Sequence, residues 1–463
     1  MTRVNGTHKT DPLFGKKVVV LGFARQGKAL ARWLPKIGAK PVVSDTRTAE
    51  QLASEIQDYP DVEFVLGGHP DSLLDGAELL CISGGVPLDL PIVQEAIKRR
   101  IPLSNDAQLF MERCRAKVIG ITGSAGKTTT TTLTGDILKR AGYTTWVGGN
   151  IGDVLLDVLD EIRPEHRVVM ELSSFQLEIM TVSPQVAAIL NITPNHLDRH
   201  QTMENYVQAK AQIMLHQFES DTVVLGYDNP ITNQLAEAAR GDVVWFSGST
   251  MISDGTFLAG QRLLIAGGAS FDSEPHVICT REDIPLRGDH NVLNVLAACA
   301  ITGVCGVQPD VMAETIRDFR PVAHRLEVVR ELNGVTYIND SIATAPERVV
   351  AALRSFDEPI VLLAGGKDKN LPWEEMIQLA LRKCRHIVAF GAAGDLVVET
   401  VARVGGEADF VTRVQTLEEA VKLASTLAQP GDIVLLSPGG TSYDAYKDFE
   451  QRGEHFRQLV AGL

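Results

Sequence analysis

Apolar runs along the chain end repeatedly in glycine- or serine-rich turns: "LGFARQG", "ISGG", "ITGSAGK", "LAGG" and "LSPGG". A short run of Val, Ile and Leu without polar alternation is a strand covered on both faces. Such strands belong in parallel sheets flanked by helices. Helical patterns follow several of the turns, as in "KKVVVLGFARQGKALARWL". The chain is therefore α/β, and its ligands are expected at the carboxyl ends of the strands.

The strand-then-helix rhythm restarts three times, at "KKVVVLG", "AKVIGITG" and "GVTYINDS". With 463 residues the chain exceeds what one core usually organises. Domains are expected over residues 1–106, 107–322 and 323–463, the central sheet mostly parallel. Hydrophobic residues at 44% and charged residues at 22% fit an ordinary globular chain. A net charge of -14, from 44 basic against 58 acidic residues, disfavours binding to nucleic acid or to an anionic membrane. The six cysteines form no C-x-x-C pair, which suits buried thiols in a reducing compartment. The opening residues contain no apolar signal segment. The longest uncharged stretch, "NVLNVLAACAITGVCGV", is short for a membrane span and carries Asn291 and Asn294. A cytoplasmic protein without a membrane span is expected.

The turn "GFARQG" has the glycine spacing of a dinucleotide fingerprint, but Ala24 stands at the middle glycine. Asp45 ends the second strand, where a ribose-binding acid belongs. NAD binding and a plain strand–helix turn are both open there. "GITGSAGKTT" is more specific. Gly123, Ser124, Ala125 and Gly126 can turn backbone N–H groups toward phosphate, and the following helix adds its positive end. Lys127 would neutralise the outer phosphates, Thr128 offers a hydroxyl to Mg²⁺, and Thr129 can assist. The full P-loop spacing asks for a further glycine where Ile121 stands. Glu171 closes the apolar run before "LSSFQLE", the place of an acidic magnesium ligand.

In "NITPNHLDRH", His196 and His200 have the spacing of a zinc pair, but Leu197 replaces the required glutamate. His196 remains a metal or substrate contact, and His200 reads as structural. Asn291 and Asn294 lie one turn apart on a helix and could meet a base or phosphate. "HRLE" and "YINDSIATAPE" supply Arg325 and Asp340.

Together with "GGNIG", "NHLDRH", "QAKAQI", "DHNVLN" and "SPGGTSYDAYKDFEQRG", these segments resemble the Mur ligases over the whole chain. That family's loop reads T-G-x-x-G-K-[ST], which Thr122 to Thr128 satisfy. The resemblance implies a Rossmann-like first domain for UDP, a P-loop ATPase-like centre and a Rossmann-like third domain for the amino acid. It implies ATP-dependent amide formation through an acyl phosphate in peptidoglycan synthesis, joining D-glutamate to UDP-N-acetylmuramoyl-L-alanine. Two Mg²⁺ ions and a monomer are implied with it. Position by position, Lys127 and Thr128 hold triphosphate and metal, Glu171 and His196 are metal ligands, and Lys210 forms a carbamate that also binds metal. Asn291, Asn294, Arg325 and Asp340 contact ATP. Asp45, Thr46, Ser83, Gly84 and Gly85 contact the uridine nucleotide, and Asn150 and Ser173 the sugar-peptide. Thr344, Lys369, Ser442 and Phe449 orient glutamate.

Without the resemblance, Lys210 reads as a solvated helix residue. Ile342 stands where many D-glutamate ligases carry lysine, which leaves L-glutamate as an alternative. A folylpolyglutamate synthetase-like ligase and a P-loop ATPase switch are the other readings.

Overall fold

The computed structural model describes residues 11–150, 154–194, 197–267, 271, 274–286, 288–320, 324–354, 356, 358–369 and 371–463. One compact unit ends at Phe319 and a second covers Arg320–Leu463.

The first unit holds two sheets. The smaller contains β1 (Lys17–Leu21), β2 (Lys40–Asp45), β3 (Glu63–Leu66), β4 (Leu79–Ile82) and β5 (Leu103–Ser104), in the order β3-β2-β1-β4-β5. Each neighbouring pair is parallel. β1 is central and buried along Val18 to Leu21, as its unbroken apolar run requires. Glycine is needed at the turn that follows. Gly22 has φ +87°, and a Cβ on Gly27 would collide with the Gly22 carbonyl oxygen.

The larger sheet contains β6 (Lys117–Thr122), β7 (Thr145–Gly149), β8 (Arg167–Glu171), β9 (Val186–Ile189), β10 (Thr222–Gly226), β11 (Asp242–Ser247), β12 (Gly255–Ala259), β13 (Arg262–Ala266) and β14 (His276–Thr280). Its order is β14-β13-β12-β11-β10-β9-β6-β8-β7. Strands from β7 across to β12 pair in parallel, and only β12-β13-β14 runs antiparallel. A single core joins the two sheets: Val18 of β1 and Leu30 and Trp33 of the helix Arg25–Lys36 share it with Val168 of β8 and with Leu155, Tyr206 and Ile213 of helical segments beside the larger sheet.

The second unit holds β15 (Glu327–Leu332), β16 (Val335–Asn339), β17 (Ile360–Gly365), β18 (Cys384–Phe390), β19 (Val411–Arg413) and β20 (Ile433–Gly439). Their order is β15-β16-β20-β17-β18-β19, parallel apart from the β15–β16 hairpin. Asn333 and Gly334 form that hairpin's turn at φ +53° and +78°, the conformation an Asn-Gly pair favours. The register sets Asn339 beside Leu436 and Gly365 beside Gly439, so the ends of β16, β17 and β20 lie together.

Candidate active site

β6 ends at Thr122, and the helix Lys127–Arg140 starts after the turn Gly123–Gly126. The first N–H groups of that helix have no carbonyl one turn back, which leaves them to a ligand. Gly126 caps the helix at φ +84°. Asn294 lies so close that a Cβ at this position would overlap its side-chain oxygen. Asn191 holds the other arm of the loop. It accepts from Ser124 N at 2.9 Å and from Ala125 N at 2.9 Å, and its amide donates to the Ala125 carbonyl. Ser124 Oγ pairs with the Tyr206 hydroxyl at 3.0 Å. The loop is thus fixed from three sides before any ligand arrives. Gly126→Ala is expected to weaken nucleotide binding at least about tenfold, because left-handed strain of ~1–2 kcal/mol adds to the overlap with Asn294. Nucleotide titration and thermal melting of the variant measure the two effects.

Lys127 Nζ donates to the Gly123 carbonyl at 2.9 Å and folds over the loop. Thr128, on the first turn, donates to Glu171 Oε2 at 2.9 Å. Thr129 follows it on the half-exposed side. Glu171 ends β8 buried, and its other oxygen accepts from Asn150 Nδ2 at 2.9 Å. Asn150 also lines a cavity of about 220 Å³ with Ala24, Arg25, Gln26, Ser83, Gly84, Gly85, Ser173 and Phe175. Glu171 therefore links the phosphate loop to this cavity through its two oxygens.

Lys210 is buried on the helix Met203–Leu215, not solvated as its charge alone suggests. It lies on the same face as Tyr206, one turn away, over whose ring its Nζ sits at 4.8 Å. Nζ donates to the Gly123 carbonyl at 2.9 Å and to Thr122 Oγ1 at 3.3 Å. Burial, then the nearby Lys127 charge, pushes its pKa well below that of ordinary lysine, against the pull of Glu171. A neutral amine at this place is a nucleophile.

His196 lies outside the described residues. His200 is buried, with Nε2 at 2.9 Å from Ser174 Oγ and its ring stacked on Phe175 at 5.3 Å, which fits a structural role. Asn294 donates to Asn291 Oδ1 at 3.0 Å on their shared helix face. Ser83, Gly84 and Gly85 meet the cavity, whereas Asp45 and Thr46 are not among its lining. The Asp45 carboxylate accepts from Phe23 N at 2.7 Å and from the Arg47 guanidinium. The Arg47 hydrogen bond, against burial, holds it well below the usual carboxylate range. Asp45 thereby braces the turn after β1.

In the second unit, Asp340 follows β16. It accepts from Ser437 Oγ at 2.7 Å, and burial raises its pKa to about 7. Arg325 is half-buried, two residues before β15. Lys369 Nζ reaches Thr344 Oγ1 at 3.3 Å, Ser442 is buried after β20, and Phe449 opens the last helix. Ile342 sits between Ser341 and Thr344 on the loop after β16 and is half-buried.

Sequence reasoning missed Asn191, Tyr206 and the cavity residues Arg25, Gln26 and Phe175. It also missed Arg452, which is fully buried and donates to the Ser341 and Gly440 carbonyls at 2.9 and 3.2 Å. An arginine within the apolar face of the last helix was the available signal.

Family models match three stretches: "Mur ligase MurD-like, N-terminal domain" over residues 16–104, "Mur ligase middle domain" over 121–302, and "Mur ligase, glutamate ligase domain" over 324–440. The chain is 40% identical to the UDP-N-acetylmuramoylalanine–D-glutamate ligase of Pelotomaculum thermopropionicum, covering 97% of this chain and 98% of that one. It is also 40% identical to the enzyme of that name from Acetivibrio thermocellus, covering 97% of each. Among solved structures, UDP-N-acetylmuramate-alanine ligase MurC of Thermotoga maritima has the same fold at a TM-score of 0.55 and 20% identity, over 96% of this chain and 99% of that one.

Proposed function

The chain belongs to the Mur ligase family, and from that premise we propose that it joins D-glutamate to UDP-N-acetylmuramoyl-L-alanine with ATP. The observation that carries this reading is the position of Glu171, bound at one oxygen by Thr128 of the phosphate loop and at the other by Asn150 of the cavity. A sugar-peptide held at Asn150 and Ser173 would bring its terminal carboxylate toward the triphosphate.

A carboxylate is a poor electrophile. One of its oxygens attacks the γ-phosphorus, the bond to the β-phosphate oxygen breaks, and ADP leaves an acyl phosphate. The glutamate amine then attacks the acyl carbon and loses a proton. Phosphate departs and an amide remains. The helix N-terminus and Lys127 counter the charge moved in the first step. Asn291, Asn294, Arg325 and Asp340 are assigned to ATP. Ser83–Gly85, Asp45 and Thr46 are assigned to the uridine nucleotide, and Thr344, Lys369, Ser442 and Phe449 to glutamate. The domain limits in this reading are 1–106, 107–322 and 323–463, with the protein a cytoplasmic monomer.

The donors around the loop fit magnesium. Thr128 Oγ1 and the Glu171 carboxylate are adjacent hard oxygens, and no cluster of three acidic, His or Cys ligands exists among the described residues. Mg²⁺ suits such a site because phosphate and water complete its shell. When bound, it screens the phosphates of the reacting groups. His196 and Lys210 as a carbamate are the proposed ligands of a second ion.

Phosphate release with UDP-N-acetylmuramoyl-L-alanine and either glutamate isomer tests the reading. Release that requires both substrates, and is faster with D-glutamate, is expected. Faster release with L-glutamate would reverse the stereochemistry, and ATP turnover indifferent to both substrates would leave an ATPase switch.

A further inference from the structure

Asn105 caps the short helix Asp106–Met111 and donates from Nδ2 to the Gln176 carbonyl at 2.8 Å. This ties the end of the first sheet to the segment after Glu171. Gln176 is buried, and its side-chain oxygen accepts from Ser173 N at 3.1 Å and from Ser173 Oγ at 3.0 Å. Ser173 Oγ in turn accepts from Gln176 N at 3.2 Å. The hydroxyl at the cavity wall is therefore set by which way the Gln176 amide points.

That orientation leaves Gln176 Nε2 buried without a hydrogen-bond partner. Asp106, 2% exposed, holds a complementary orphan, its Oδ1 acceptor. Burial raises the Asp106 pKa to about 6. Gln176 opposes the rise from close range, and the Arg25 charge does so less strongly. Arg25 also lines the cavity and donates to the Gly149 carbonyl at 3.0 Å. One buried carboxylate thus faces an amide that sets Ser173 and feels a cation of the cavity wall. The amide N–H and the carboxylate oxygen are complementary and near enough to interact, though short of a full hydrogen bond, so the carboxylate orients the amide by charge–dipole attraction.

We propose that Asp106 is a positioning residue for the sugar-nucleotide pocket, fixing the Gln176 amide and through it the Ser173 hydroxyl, an inference that rests on the cavity being the acceptor site. Without the carboxylate, the amide can flip and turn its NH₂ group onto Ser173 N–H, where two donors oppose each other. Among the described residues, the hydrogen bonds of Gln176 and Ser173 given above do not include Asn191 or Tyr206.

Steady-state kinetics on the full chain test it with Asp106→Ala and Asp106→Asn. For the alanine variant, KM for UDP-N-acetylmuramoyl-L-alanine is expected to rise by up to about tenfold, the loss of a close contact between the amide and a charged group. KM for ATP and for glutamate should stay within about twofold. The asparagine variant keeps an oxygen acceptor for Gln176, so its acceptor KM should fall between wild type and alanine. An unchanged acceptor KM in Asp106→Ala would overturn the proposal. So would a parallel rise of all three KM values with a lowered melting temperature, which a merely structural role produces. If the alanine variant does not fold, an asparagine variant equal to wild type in all three KM values overturns it too. A wild-type protein that neither binds nor turns over the UDP substrate would instead remove the acceptor-site reading itself.

Discussion

Lys210→Ala is expected to lower kcat roughly 10³-fold, with formate or acetate restoring part of the rate. The lysine is too buried to serve as a surface charge, and its Nζ meets the backbone of the phosphate loop at Gly123. Burial and the neighbouring Lys127 favour the neutral amine. That form can add carbon dioxide and release a proton, so that a neutral amine becomes a carbamate anion that Lys127 attracts. A free acid diffusing into the space left by the side chain would supply the same carboxylate oxygens. If Lys210 only tethered the loop through Gly123 and Thr122, small acids would bring nothing back. Initial rates of the variant with and without these acids separate the two roles, and wild-type rates in the variant would reject both.

Asp340→Asn is expected to make the protein more stable at pH 8 while lowering its activity by about two orders of magnitude or more. The folded Asp340 has its pKa raised by burial to about 7, from an ordinary 3.8. Between about pH 4 and 7 the unfolded chain has therefore released a proton that the folded chain still holds. The unfolded state binds fewer protons there, so stability falls as pH rises through that window. Asparagine removes the penalty. Its gain should reach a few kcal/mol above pH 7 and vanish near pH 4. Melting curves at the two pH values measure it, and a variant no more stable than wild type at pH 8 would contradict the assignment of a charged group retained for ATP. The Ser437 hydrogen bond at 2.7 Å offsets only part of the burial cost.

The parallel sheets were legible because their strands are unbroken apolar runs, as in Val18 to Leu21 and Val168 to Met170. The antiparallel strands were harder to see. β14 mixes polar with apolar residues and β13 is a short apolar run like that of a parallel strand, so the turn residues mark the hairpins, Gly260 in one and Asn333-Gly334 in another. Within the site, Gly126, Lys127, Thr128 and Glu171 follow from local pattern, since each sits at a strand end or a helix start. Lys210 does not, because its role depends on a loop 87 residues earlier in the chain. Its place on an apolar helix face with Tyr206, Ile213 and Met214 was the one local hint. Asn191 and Asp106 left still less trace. Asn191 reaches its loop through the pairing of β6 with β9, and Asp106 meets Gln176 where the end of the first sheet packs on the segment after β8. Short polar residues at strand ends are ordinary turn formers.

Activation of the acceptor carboxylate at the phosphate loop is the central claim, and oxygen transfer tests it most directly. UDP-N-acetylmuramoyl-L-alanine carrying ¹⁸O in its alanine carboxylate should be turned over with ATP and D-glutamate, and the products weighed. An acyl phosphate predicts ADP, and inorganic phosphate that carries one ¹⁸O from the substrate. Unlabelled phosphate, or AMP bearing the label, would contradict it.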